Sequence, residues 1–247
     1  MARKCVQALD LQPEDSVLEI GPGKGILTKH LIPLVKNFRA VEIDPALFQN
    51  LKNQYESNLS VEFIGNDFLE VSFSDLHLTE KFKVIGNLPY AVVSPILQKL
   101  IEWDSWICAV VMVQKEVGDR MLAAPDNKNY GILSVSLQSR CKIKKVTLVP
   151  GSCFRPEPKV QSMVLKLAPL EQPLFEKKNE QHFFTIVKAS FAHRRKTILN
   201  SLTRSLGCSV EKAQNALSLC KISGQVRAET LSIDQFCQLS DAFLQLK

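Results

Sequence analysis

Apolar residues along the first half of the chain fall into short unbroken runs separated by longer stretches with helical spacing. The runs "SVLEIG" (16–21), "FRAVEID" (38–44), "SVEFIGND" (60–67), "FKVIGN" (82–87) and "WICAVVMV" (106–113) read as buried strands. Between them "GILTKHLIPLV", "PALFQNLKNQY" and "SPILQKLIEW" repeat Ile, Leu and Phe at helical intervals. Alternation of this kind predicts a mostly parallel, doubly wound α/β sheet. "VTLVPGSCFRPEPKVQSMVLKLAPL" then supplies two β-rich runs around a proline-dense loop, which predicts an antiparallel hairpin at the end of the sheet. Beyond "APLEQPLFEKKNE" only helical patterns follow: "HFFTIVKASFAHRRKTILNSLTRSL", "SVEKAQNALSLC" and "SIDQFCQLSDAFLQL". A boundary near Pro173 is expected, with an α/β domain over 1–173 and a small all-helical domain over 174–247.

Composition narrows the class. A chain of 247 residues with 45% hydrophobic content can bury one large core and a small second one. No apolar run is long enough to span a membrane, and "MARKCVQALDLQPEDS" lacks the features of a secretory signal, so a cytoplasmic protein is expected. The seven cysteines (5, 108, 141, 153, 208, 220, 237) have no metal-ligand spacing and read as reduced, small apolar residues. His30, His77, His182 and His193 show no ligand spacing either, so no metal is expected. From Phe175 onward eleven Lys and Arg face six Asp and Glu, so +5 of the net +6 lies in the helical tail. That imbalance suits a polyanionic partner.

Candidate chemistry collects at the ends of the predicted strands. "LEIGPGKGILT" places Gly21, Gly23 and Gly25 in the first turn after the first strand, where a doubly wound sheet has its binding crevice. The spacing is not the G-x-G-x-x-G of dinucleotide enzymes, which disfavours hydride transfer. Glu42 ends the second strand and could accept from two ribose hydroxyls. Asp67 follows the third strand, either as an acceptor for an adenine amine or as the cap of a helix. Three such residues at successive strand ends describe an adenosine pocket. After the fourth strand comes "NLPY": Asn87 is a lone amide, and Pro89 restricts itself and Leu88 to a rigid extended backbone that can aim a carbonyl at a ligand.

Asn-Leu-Pro-Tyr resembles the [N/D/S]-[P/I/L]-P-[Y/F] motif of methyltransferases that modify exocyclic amines of nucleobases. "VLEIGPGKGILT", "VEIDP", "GNDF", "GNLPY", "VQKEV", "YGILSV", "FRPEPKVQS" and "FAHRRKTILNSL" together resemble, in order and over essentially 1–247, the ribosomal RNA adenine dimethyltransferases of the KsgA/Dim1 family. The resemblance implies a class I, Rossmann-like methyltransferase domain with a small helical domain. It further implies conversion of two adjacent adenines near the 3′ end of small-subunit rRNA to N6,N6-dimethyladenine by S-adenosyl-L-methionine, in a cytoplasmic monomer. By position, Gly21, Gly23, Glu42, Asp67 and Asn87 are expected at the cofactor. Asn87, Leu88, Pro89 and Tyr90 form the catalytic motif: the Asn87 side-chain oxygen and the Leu88 carbonyl accept from the target amine while Tyr90 stacks on the base. Phe154 is a second stacking candidate, or a core phenylalanine beside a proline turn.

"HRRKT" falls within a helical pattern, which makes Arg194, Arg195 and Lys196 the candidates for the RNA backbone. Ala91 and Gln161 stand where the family commonly has Asn and Asp. Family members usually carry a basic lead segment with a G-Q-x-F-L-like stretch over the cofactor. The sequence given starts where the following helix is expected, so weaker cofactor binding is anticipated. Two other readings stay open: a macrolide-resistance type methyltransferase of large-subunit rRNA, and a non-catalytic nucleic-acid-binding relative.

Overall fold

The computed structural model describes residues 1–78, 81–103, 105–154 and 160–246, with only the backbone of Tyr90. By contacts the chain divides into two units. One comprises Met1–Gly118 and Lys142–Pro169, the other Asp119–Cys141 and Leu170–Lys247.

The first unit is built on a seven-stranded sheet: β1 (Ser16–Ile20), β2 (Asn37–Glu42), β3 (Val61–Gly65), β4 (Phe82–Asn87), β5 (Trp106–Gln114), β6 (Cys141–Val149) and β7 (Ser162–Pro169), in the order β3-β2-β1-β4-β5-β7-β6. Strands β1 to β5 pair in parallel, and β7 runs antiparallel to β5. The sheet reverses its winding between β1 and β4, where Ile20 lies opposite Gly86. The close approach there requires glycine, because a Cβ on Gly86 would stand 2.8 Å from the Ile20 carbonyl oxygen. All five residues of β1 are buried, as strands covered on both faces must be.

Helices α1 (Ala2–Ala8), α2 (Thr28–Leu31), α3 (Pro45–Gln54), α4 (Val93–Glu102) and the start of α5 (Lys115–Leu122) belong to this unit. α3 begins as its sequence predicts: the Asp44 side chain accepts from the amides of Ala46 and Leu47, and Pro45 fills the first position, where no N–H is needed. The helix expected over 25–35 is shorter than predicted. The chain turns through Leu27, forms only the four residues of α2, and tightens to a 3₁₀ turn at Ile32–Leu34. Gly25 holds φ +72°, with Leu51 against its open side at 2.9 Å from any added Cβ, and Pro33 has no N–H to extend the ladder.

The second unit packs α6 (Ile132–Gln138), α7 (Glu180–Phe191), α8 (Ile198–Leu206), α9 (Val210–Leu219) and α10 (Ile233–Gln245) around Phe183, Ile186, Leu202, Leu217 and Phe236. Contacts correct the expected division at Pro173: residues 119–141 belong with the helices. Tyr130 lies fully buried edge-on to Phe191, and Gln138 Nε2 donates to the carbonyls of Met121 and Ala123. The Arg140 guanidinium pairs with Glu180 and lies over Phe175 and Phe184, while its carbonyl accepts from Leu170. Segments distant in sequence are thereby tied into one core.

A second correction concerns "HRRKT". It forms a turn between α7 and α8 rather than part of one helix. Thr197 caps α8, accepting from the Asn200 amide, and Ser201 Oγ takes the His193 amide, so the chain's backbone groups are satisfied outside a continuous ladder. Among the described residues no helix is long and apolar enough to cross a membrane.

Candidate active site

The glycine turn after β1 is fastened to β2. The Gly21 amide donates to the Val41 carbonyl (2.9 Å), and the Gly23 amide to Glu42 Oε2 (2.8 Å). Gly21 and Gly23 have φ of +66° and +57°, with open space where side chains would be. A larger residue would meet the strain of the left-handed region and fill the crevice. Glu42 is 5% exposed, and its other oxygen accepts from the Asp44 amide at 2.9 Å. Two backbone bonds therefore fix a buried carboxylate at the carboxyl end of β2, each oxygen keeping one lone pair for a ligand hydroxyl.

Gly21, Gly23, Asn87 and Phe154 line one cleft of about 240 Å³. Asn87 ends β4, its side chain exposed and without a hydrogen bond among the described residues. Leu88 is buried and its amide donates to the Met112 carbonyl at 3.1 Å, which anchors the motif to β5. Pro89 follows at φ −60° and ψ 132°, the extended conformation its ring dictates. The Tyr90 side chain and residues 155–159 of the "FRPEPK" segment lie outside the described residues. Phe154 packs on the apolar core beneath, as its second expectation has it, and also lines the cleft.

Asp67 is not among the residues lining that cleft. It lies two residues beyond Gly65, which pairs with Glu42, on the far side of Glu42 from the glycine turn. Its Oδ1 accepts from the Leu69 amide at 2.9 Å within a turn, so the helix cap expected as the alternative is not formed, and Oδ2 has no partner among the described residues.

Arg194, Arg195 and Lys196 line a shallow pocket of about 260 Å³ in the α7–α8 turn of the second unit. Arg194 is partly engaged, donating to the Lys128 carbonyl at 2.8 Å and lying 3.6 Å from the Glu229 carboxylate.

Sequence reasoning missed Glu19. It is 1% exposed on β1, lines the cleft, and accepts from Thr28 Oγ1 at 2.7 Å. Burial pushes its carboxyl up to about 7, Thr28 opposes this, and the Glu42 charge adds to it. The signal was an acid inside a run otherwise wholly apolar. Ile43, next to Glu42, was also passed over, although 65% of this large apolar residue is exposed at the strand end. Met112, opposite Asn87 in the sheet, completes the floor of the cleft.

The family model for ribosomal RNA adenine dimethylase matches residues 1–245. The chain belongs to that family. It is therefore an enzyme, an adenine dimethyltransferase of ribosomal RNA with a Rossmann-like methyltransferase fold. Among its relatives, ribosomal RNA small subunit methyltransferase A of Geobacter metallireducens is 41% identical over 243 residues, covering 96% of this chain and 88% of the relative. Its namesake in Clostridium acetobutylicum is 39% identical over 238 residues, covering 96% and 86%. A dimethyladenosine transferase from Plasmodium falciparum superposes with a TM-score of 0.81 at 28% identity, covering 99% of this chain and 95% of that one. The 23S rRNA methyltransferase ErmE gives 0.71 at 26%, with 99% and 96% covered.

Proposed function

We propose that this chain transfers methyl groups from S-adenosyl-L-methionine to the N6 amines of two adjacent adenines near the 3′ end of small-subunit rRNA. The observation that carries the reading is the meeting of Gly21, Gly23 and Asn87 on one cleft, with Glu42 bonded to the glycine turn. The donor set fits the cofactor. Glu42 offers spare lone pairs to ribose hydroxyls, exposed Ile43 offers an apolar wall to a base, and Asp67 Oδ2 is free to accept from an amine. The carboxyl of Glu19 in the cleft, with that of Glu42 bonded to the glycine turn, suits a cationic ligand.

The cofactor supplies an electrophilic methyl on a sulfonium. An adenine N6 lone pair is delocalised into the ring and attacks poorly until its hydrogens are held out of plane. Asn87 Oδ1 and the Leu88 carbonyl are the acceptors assigned to that task, and Tyr90 the stacking face. Positioning and electrostatics then lower the barrier without a general base. In the second unit, Arg195 and Lys196 neutralise phosphates of the RNA, and Arg194 shapes the turn that presents them.

The test is incubation of the purified protein with undermethylated small-subunit particles and labelled cofactor, followed by mapping of the modified bases. Dimethyladenine at two adjacent positions near the 3′ end is expected. Label confined to large-subunit rRNA, or no transfer to either subunit, overturns the reading.

A further inference from the structure

The turn that carries Asp67 is fastened to α4. It closes on itself first: the Asp67 carbonyl accepts from the amides of Glu70 (2.9 Å) and Val71 (3.2 Å), and Oδ1 from that of Leu69. Phe68 then plugs inward, 4% exposed, and meets Trp103 edge-on with ring centroids 5.4 Å apart. Lys99 of α4 donates its ammonium to the Leu69 carbonyl and lies 5.7 Å from the centroid of the Phe68 ring. Among the described residues Lys99 has no ion pair. This half-buried ammonium, near enough to Asp75 to act on its charge, makes its direct contacts with a carbonyl and a ring and so ties the backbone of that turn to α4.

We infer that Lys99 is a positioning residue for the cofactor: by gripping the Phe68 ring and the Leu69 carbonyl, in the two residues that follow Asp67, it sets the Asp67 carboxylate at the height of the adenine amine. The inference rests on the assignment of Asp67 to that amine. It also gives α4 a double task. Its first turn follows directly from the Asn87–Tyr90 motif, and its last turns hold the adenine side, so one rigid helix spaces the methyl donor's base from the target's acceptors.

The test uses calorimetry with S-adenosylhomocysteine and S-inosylhomocysteine, whose hypoxanthine carries a carbonyl where adenine has the amine. The wild-type protein should prefer the adenosyl compound by about tenfold, and Asp67→Ala should abolish that preference. Lys99→Met keeps the length of the side chain but not the donor. It should lose most of the preference by weakening the adenosyl compound alone, raise KM for the cofactor, and leave kcat at saturation within about twofold. Lys99→Arg should restore most of the preference, which a merely destabilised variant cannot mimic, and the double variant Asp67→Ala/Lys99→Met should bind no worse than Asp67→Ala. A preference retained in Lys99→Met overturns the role of Lys99 while leaving Asp67 in place. A wild-type protein with no preference, or one unaffected by Asp67→Ala, overturns the Asp67 assignment and the inference with it.

Discussion

At the amino end of β4, Lys83 is 9% exposed and bonded to both Asp15 (2.8 Å) and the Asp10 carbonyl (2.6 Å). At the carboxyl end of the same strand Asn87 is exposed and bonded to nothing described. The rest of the sheet repeats the contrast. Glu42 and Asp67, at carboxyl ends, are held in place by backbone amides yet retain acceptor capacity. A polar group whose bonds are complete serves the architecture. One with capacity to spare is open to a ligand. Changes at four places turn this contrast into measurements.

Asn87→Ala should have the largest effect: a single-turnover methylation rate lower by about 10² to 10³, with unchanged melting temperature and near-normal RNA binding, since the amide contributes to geometry alone. A fully active variant breaks the distinction at its functional end. Lys83→Met should do the opposite. It leaves the half-buried Asp15 carboxylate without its cation and the Asp10 carbonyl without its donor, lowering stability by about 2 to 3 kcal/mol in urea titrations with no change in activity per folded molecule.

Glu19 stands between the two classes and reports through pH. Its carboxyl is raised from 4.5 to about 7 in the folded protein, so between those values the unfolded chain has released a proton that the folded one still holds. Stability contributed by this group is therefore whole below pH 4.5 and falls as pH rises through 7, by an amount on the order of 2 to 3 kcal/mol. Glu19→Gln should be more stable than wild type at pH 8 by about that margin and indistinguishable at pH 4.5, measured by paired urea titrations. Smallest is the effect in the basic turn. Arg195→Ala and Lys196→Ala should each flatten the logarithmic salt dependence of RNA binding by about one unit, whereas Arg194→Ala should also lower stability by about 1 kcal/mol through its lost bond to the Lys128 carbonyl.

The strands were legible because parallel strands covered on both faces are mostly apolar and end where glycine, an amide or an acid intervenes. β1, β4 and β5 lie within one residue of their predicted limits at each end. The candidate residues Glu42, Asp67 and Asn87 stood out for the same reason: they are polar residues where such runs stop. Periodicity misled where apolar residues at helical spacing pack from a turn. Gly25 lodges against Leu51, and the residues after it keep their spacing without forming a long helix. It misled again at 192–197, where Thr197 and Ser201 satisfy a break that the flanking apolar pattern runs straight through. The affiliation of 119–141 with the helices rests on long-range contacts such as Tyr130 with Phe191, which no local window contains. Glu19 escaped notice because a lone acid in a buried run carries no spacing signal.

The pairing of Ile20 with Gly86 has a bearing on synthesis as well as on the finished fold. The halves of the crevice, the glycine turn and the amide, are neighbours in the sheet but are made far apart in time. No nascent fragment that ends before β4 can contain the site. Closing so wide a loop is a slow, entropically opposed event. Competence to bind should thus arrive in a single step once β4 has been made, with β2 and β3 already waiting beside β1.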